Sequence, residues 1–207
     1  MHSRTPRHPT DAPPGAGPGL HQHRYAEIFV VEEGNVTFEV GGEAIEATAG
    51  DIAIAPAGVP HKFINAGGER SRHVDIHPSA RMNGDTMAIG KGPSAVRVIE
   101  RKDLSHSASA CRFEGEESGE IPVSFFWADT LPGMGTGLHC HPYSEVFVVL
   151  EGAVILTVGD ETLEATAGQI AIAPAEVPHR FVNGGTALSR HLDIHPSPRV
   201  ITRWLEK

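Results

Sequence analysis

Eight residues of this 207-residue chain have the types and spacing of two metal sites. In the second half, His139-Cys-His141-Pro-Tyr-Ser-Glu145 is followed at a distance by Val177-Pro-His179. In the first half, His21-Gln-His23-Arg-Tyr-Ala-Glu27 is followed by Val59-Pro-His61. Each member of the first set lies 118 positions before its counterpart in the second. A lone histidine is most often an ordinary surface or core residue, but eight potential ligands keeping one offset through a duplication are not. Three imidazole nitrogens with one carboxylate oxygen suit Fe(II), Mn(II), Ni(II), Zn(II) or Cu(II), and disfavour Ca(II), whose ligands are mostly oxygen. Four protein ligands on a six-coordinate ion leave two adjacent positions for water, O2 or a substrate. The expectation is two divalent transition-metal ions per chain.

Strands must hold these side chains. Alternation along a strand places His21 and His23 on one face and Gln22 on the other, and likewise His139 and His141 with Cys140 turned away. Glu27-Ile-Phe-Val-Val31 reads as a buried strand, and Val36–Val40 and Glu43–Ala47 form a hairpin around Gly41-Gly42. Asp51–Ala55, His61–Ile64 and Ser71–His77 follow as short strands broken by Gly, Pro and Asn. From Glu43 to His61 and from Glu161 to His179, fifteen of nineteen aligned residues are identical, so two barrels of one design are expected. Many short strands without an amphipathic helix indicate an all-β fold. The organisation read from the text is a Pro/Gly-rich lead over residues 1–19 and a first barrel over 20–80. A linker over 81–95 and a second barrel over 96–207 complete it. Val96–Glu100 and Val123–Ala128 are read as strands of the second barrel. Thr5–Thr10, with two prolines, stands where the second copy has Val123–Ala128, so the first barrel is expected to be truncated at its N-terminal edge. An open edge there would favour a homodimer through the first barrel.

Composition excludes some partners. A formal charge of −9 repels nucleic acid and anionic membrane surfaces. No apolar run reaches the ~18 residues of a membrane span. Two cysteines, Cys111 and Cys140, and no signal-like N-terminus point to the cytoplasm. Nothing resembles a nucleophilic triad or a phosphate-cradling loop.

Two patterns carry a resemblance. Gly15-x5-His21-x-His23-x3-Glu27-x6-Gly34 and Gly50-x5-Pro56-x-Gly58-x2-His61-x3-Asn65 are similar to the two signature motifs of the cupin superfamily. The second copy fits through Gly133, His139, His141, Glu145, Gly152, Gly168, Pro174, His179 and Asn183, and departs at Glu176, where glycine is usual. The resemblance implies a bicupin: two tandem cupin-type jelly-roll β-barrels, each binding a metal through three His and one Glu. The superfamily is functionally broad, so fold and site follow from it far better than a reaction.

Two further sets recur. Tyr25 and Tyr143 precede each Glu ligand by two residues, where a phenol could donate to a metal-bound oxygen or to substrate, or simply pack at the rim. His73, Asp75 and His77 share a strand face, as do His191, Asp193 and His195; they could line the pocket or face solvent. The leading functional reading is metal-dependent, dioxygenase-like chemistry on a small oxygen-rich molecule. A metal-dependent decarboxylase or isomerase, or a non-catalytic ligand-binding module, are the alternatives.

Overall fold

The computed structural model describes residues 11–80, 97–107 and 109–205, which divide into two compact units at Asp103/Leu104. The first unit contains β1 (Asp11–Ala12), β2 (Glu27–Glu33), β3 (Asn35–Val40), β4 (Glu43–Thr48), β5 (Asp51–Ala55), β6 (His61–Asn65), β7 (Ser71–Ile76) and β8 (Arg97–Glu100). The second contains β9 (Ser105–His106), β10 (Ala110–Glu114), β11 (Ser124–Thr130), β12 (His139–Cys140), β13 (Glu145–Glu151), β14 (Ala153–Val158) and β15 (Glu161–Thr166). It continues with β16 (Ile170–Ala173), β17 (His179–Val182), β18 (Ser189–His195) and β19 (Arg203–Trp204). All named pairings are antiparallel, as expected for an all-β jelly-roll pair.

In the first unit, one sheet runs β1-β7-β2-β5-β8 and the other β4-β3-β6; in the second, they run β16-β13-β18-β11-β10-β9 and β15-β14-β17-β12-β19. Each core fills with the inward residues of both sheets. Phe29, Val31, Val36, Phe38, Ala47 and Phe63 form it in the first unit. Phe147, Val149, Val154, Leu156, Ala165 and Phe181, their counterparts one repeat later, form it in the second. Period-2 alternation sends these apolar side chains inward, and the same period carries each Glu ligand to the inner face at the head of β2 and β13.

One strand lies elsewhere than the sequence suggested. Arg97–Glu100 does not open the second barrel; it pairs with Asp51–Ile54 and belongs to the first unit. Alternation in Val96–Glu100 marks a strand but cannot say which sheet edge receives it. The consequence is visible at equivalent positions. Ile52 and Ile54 are 0% and 3% exposed on β5, which carries β8, whereas Ile170 and Ile172 on the edge strand β16 are 59% and 58% exposed. The second barrel instead extends at its other edge, where β11 pairs along its whole length with β18 and over Ser124–Ala128 with β10, a strand the sequence reading missed. In the first unit the place of β11 is held by Asp11–Ala12 alone among the described residues, paired with Arg72 and Ser71. The expected Pro-rich edge Thr5–Thr10, with the dimer argued from it, and the 81–95 linker lie outside the described residues. No helix among the described residues is long and apolar enough to cross a membrane.

Candidate metal centres

Each centre is assembled where a His-x-His segment meets the first residue of a distant strand. His21 and His61 exchange both backbone hydrogen bonds, at 3.0 and 2.7 Å, and His139 lies opposite His179 in the same way. A turn then clamps the second histidine: the N–H of Gly58 donates to the His23 carbonyl at 2.7 Å, and that of Glu176 to the His141 carbonyl at 2.8 Å. Gly58 has φ 72° and Glu176 φ 62°, so the substitution leaves the left-handed turn unchanged and strains the glutamate instead. The Glu176 carboxylate reaches out to the Arg203 guanidinium at 3.0 Å. Gly135 allows the preceding segment to lie against β17, since a Cβ there would stand 1.9 Å from the Phe181 carbonyl oxygen.

In the second centre, Nε2 of His179, His141 and His139 lies 2.7, 3.1 and 3.8 Å from Oε2 of Glu145. In the first, Nε2 of His61, His23 and His21 lies 2.8, 3.2 and 3.8 Å from Oε2 of Glu27. In both groups the four donor atoms fall within 4.8 Å of one another, and the eight residues are those the sequence picked out. The sites differ in cover: the His21 side chain is 29% exposed, that of His139 only 7%.

The donor chemistry fits a divalent ion. His139, His141 and His179 each donate Nδ1–H to a backbone carbonyl, of Gly137, Ile201 and Val177, at 2.7–2.8 Å. That fixes the tautomer with the Nε2 lone pair turned into the cluster. His21 and His61 do the same through Gly19 and Val59. Three inward lone pairs around a buried carboxylate are a ligand set for a cation. Burial opposes ionisation of Glu27, but the imidazoles of His61 and His77 beside it outweigh burial and bring its pKa down to about 2. Glu145 is held low in the same way, burial being overcome by His139, His141 and His179.

The histidine-aspartate strands face inward. His77 Nε2 lies 3.2 Å from Oε1 of Glu27, and His195 Nε2 3.5 Å from Oε1 of Glu145. Each stands against the carboxylate oxygen that the ligand histidines leave. Deeper in, His73 Nδ1 donates to Asp75 at 2.5 Å and His191 Nδ1 to Asp193 at 2.6 Å, with Phe63 and Phe181 edge-on to the rings. Asp193 loses hydration on burial, which raises its pKa, and His191 is raised by its carboxylate against the opposing effect of burial. The repeated Arg-His-x-Asp-Ile-His-Pro marked these residues in the sequence, yet both strand faces were plausible there.

The tyrosines stack on ligand rings: Tyr25 on His23 at 5.0 Å and Tyr143 on His141 at 5.4 Å between centroids, nearly parallel. Their hydroxyls differ. Tyr25 reaches His77 Nδ1 at 3.3 Å, whereas Tyr143 accepts the N–H of Ile201 at 2.8 Å. Ile201 stands two residues before the last strand of the described residues. That strand lies at a sheet edge: β19 pairs with β12, setting Trp204 opposite His139.

Each centre opens into a cavity. The first is about 760 Å³ and bounded by His21, His23, Glu27, Asp75 and His77 together with the 11–19 segment. The second is about 330 Å³, walled by Phe126, Ala128, Phe181 and Trp204, with Asp193 and His195 on its lining.

Among solved structures, the chain is similar to the oxalate decarboxylase of Lactobacillus farciminis in its formate complex. The TM-score is 0.74 at 17% identity over 94% of this chain and 77% of that one. It is also similar to the oxalate decarboxylase of Bacillus subtilis in a structure concerned with its Mn(II) centres, with TM-score 0.71 and 15% identity over 94% and 69% of the two chains. A point variant of the same enzyme gives 0.74 and 16% over the same shares. At these identities the likeness is one of fold. The family model described as "Cupin domain" matches residues 10–77 and again 126–195. With both matches enclosing a complete three-His/one-Glu cluster, this chain belongs to the cupin family and carries two cupin domains.

Proposed function

We propose that this bicupin is a metal-dependent decarboxylase of small organic carboxylates, acting at the second centre. The observation that carries the reading is the setting of that centre: a buried cation site opening into a small cavity with apolar walls. Carboxylates lose carbon dioxide faster where water is excluded, because the anion is well hydrated and the charge-dispersed transition state is not. The named structural relatives, which are oxalate decarboxylases, support this alternative better than the oxygen chemistry favoured from sequence.

His139, His141, Glu145 and His179 would hold the ion, which when bound supplies Lewis-acid polarisation of the substrate's oxygens. The chain's residues do the rest. The apolar walls exclude water. The breaking C–C bond leaves its electron pair on carbon, which must take up one proton as carbon dioxide departs. Asp193 lines the cavity with His191 hydrogen-bonded behind it, and we assign the pair as the proton source. Neither tyrosine is among the residues bounding the cavities; we assign Tyr25 and Tyr143 to holding the His23 and His141 rings in register rather than to contact with substrate.

The test is product and gas analysis on metal-replete protein with a panel of keto and aromatic carboxylates, with and without air. Carbon dioxide release without net oxygen uptake is expected. Stoichiometric oxygen consumption would restore the dioxygenase reading, and ligand-induced stabilisation without product would leave a binding module. Asp193→Asn should lower turnover at least about 100-fold at unchanged metal content.

A further inference from the structure

From the lining of the second cavity we propose that its ligand is a monoanion with a flat apolar body, and that Trp204 selects it. This inference rests on the second centre holding a divalent ion, and it narrows the substrate class of the proposed decarboxylase.

Charge sets the first limit. Among the described residues that line the cavity there is no arginine and no lysine. Its carboxylates are Glu145 and Asp193, and Asp193 is matched by His191 at 2.6 Å. A divalent ion against Glu145 leaves one positive charge, which a single carboxylate neutralises. A second carboxylate on the ligand would be buried with no cation beside it, and an unpaired charge in such a place is strongly disfavoured.

Shape and surface set the second limit. Phe126 and Phe181 supply aromatic walls, and Trp204 closes the lining beside the metal ligands, its ring centroid 5.0 Å from that of His139. β19 holds Trp204 by pairing with β12, yet 60% of its surface stays exposed. A fixed, largely uncovered indole at the edge of a site is a platform for stacking. A ligand ring laid on it gains contact that a two- or three-carbon acid cannot.

Calorimetric titration of the metal-loaded full chain tests both limits with matched probes. Phenylpyruvate is a monoanion with a ring, pyruvate has a comparable head without one, and phenylmalonate carries a ring and a second carboxylate. Phenylpyruvate should bind at least tenfold more tightly than either of the others. Trp204→Ala should remove the preference over pyruvate, and Trp204→Phe should keep most of it, both with the metal content of the parent chain. Equal or tighter binding of phenylmalonate overturns the charge argument. A phenylpyruvate preference that survives Trp204→Ala overturns the role of the indole. The reading beneath it fails separately. If the preferences hold but no probe releases carbon dioxide, the decarboxylase assignment falls and the ligand class stands. If oxalate is decarboxylated while no ring-bearing acid binds, the ligand class falls and the decarboxylase stands.

Discussion

His195 presents Nε2 to Oε1 of Glu145 at 3.5 Å, too long for a hydrogen bond of ordinary strength, whereas its counterpart His77 closes to 3.2 Å on Glu27. The two also differ in cover, the His77 side chain being 14% exposed and that of His195 1%, and they carry protons differently. Burial lowers the His195 pKa to about 4, and its two ring nitrogens have no hydrogen-bond partner among the described residues; His77 is raised by its bond to Glu27.

That difference gives a pH prediction for the metal-free chain. Unfolded His195 takes up its proton near 6.5 but folded His195 only near 4, so stability falls as pH drops through that window. The loss is on the order of 3 kcal/mol. His77, with a raised pKa, favours the fold below 6.5 and loses that contribution as pH rises. Ring-proton NMR titration should place the two histidines on opposite sides of 6.5, and His195→Gln should flatten the acid limb of a denaturation series. A flat limb in the parent chain would contradict the argument.

Metal content follows from the two complete ligand sets. Protein purified without chelator or nickel resin should carry close to two ions, and His61→Ala and His179→Ala should each remove one. Elemental analysis of the three proteins decides this, and unchanged content in both variants would disprove the ligand assignment.

The second centre should dominate activity. Its ligands are better covered and its cavity is smaller, so the reacting geometry is held more tightly. His139→Ala should abolish more than about 90% of turnover, and His21→Ala should leave most of it. Equal losses, or the reverse order, would place the chemistry in the first barrel.

The C-terminal strand should be a support of the second centre. Removing residues 200–207 takes away the Ile201 carbonyl that orients His141 and the N–H that holds Tyr143. Loss of such an outer partner costs about 10- to 100-fold in metal affinity. Competition with a fluorescent chelator should show that drop at one site and none at the other.

The eight ligands were legible because their spacing is local and repeated. His-x-His on one strand face, a glutamate opening the next strand and a histidine after Val-Pro need no tertiary information to be recognised as a set. The inward face of β7 and β18 was not legible. Both faces of those strands carry residues suited to a barrel wall, and only closure of the sheet turns His77 and His195 toward the carboxylates. Trp204 was invisible for a similar reason: its place beside His139 depends on a two-residue pairing across 65 positions of chain, with no local periodicity to announce it. Arg97–Glu100 shows the limit most directly. Alternation makes a segment a strand through local side-chain geometry, but it does not say which sheet edge accepts it: β5 and β16 are equivalent strands of the two barrels, and Arg97–Glu100 pairs with β5.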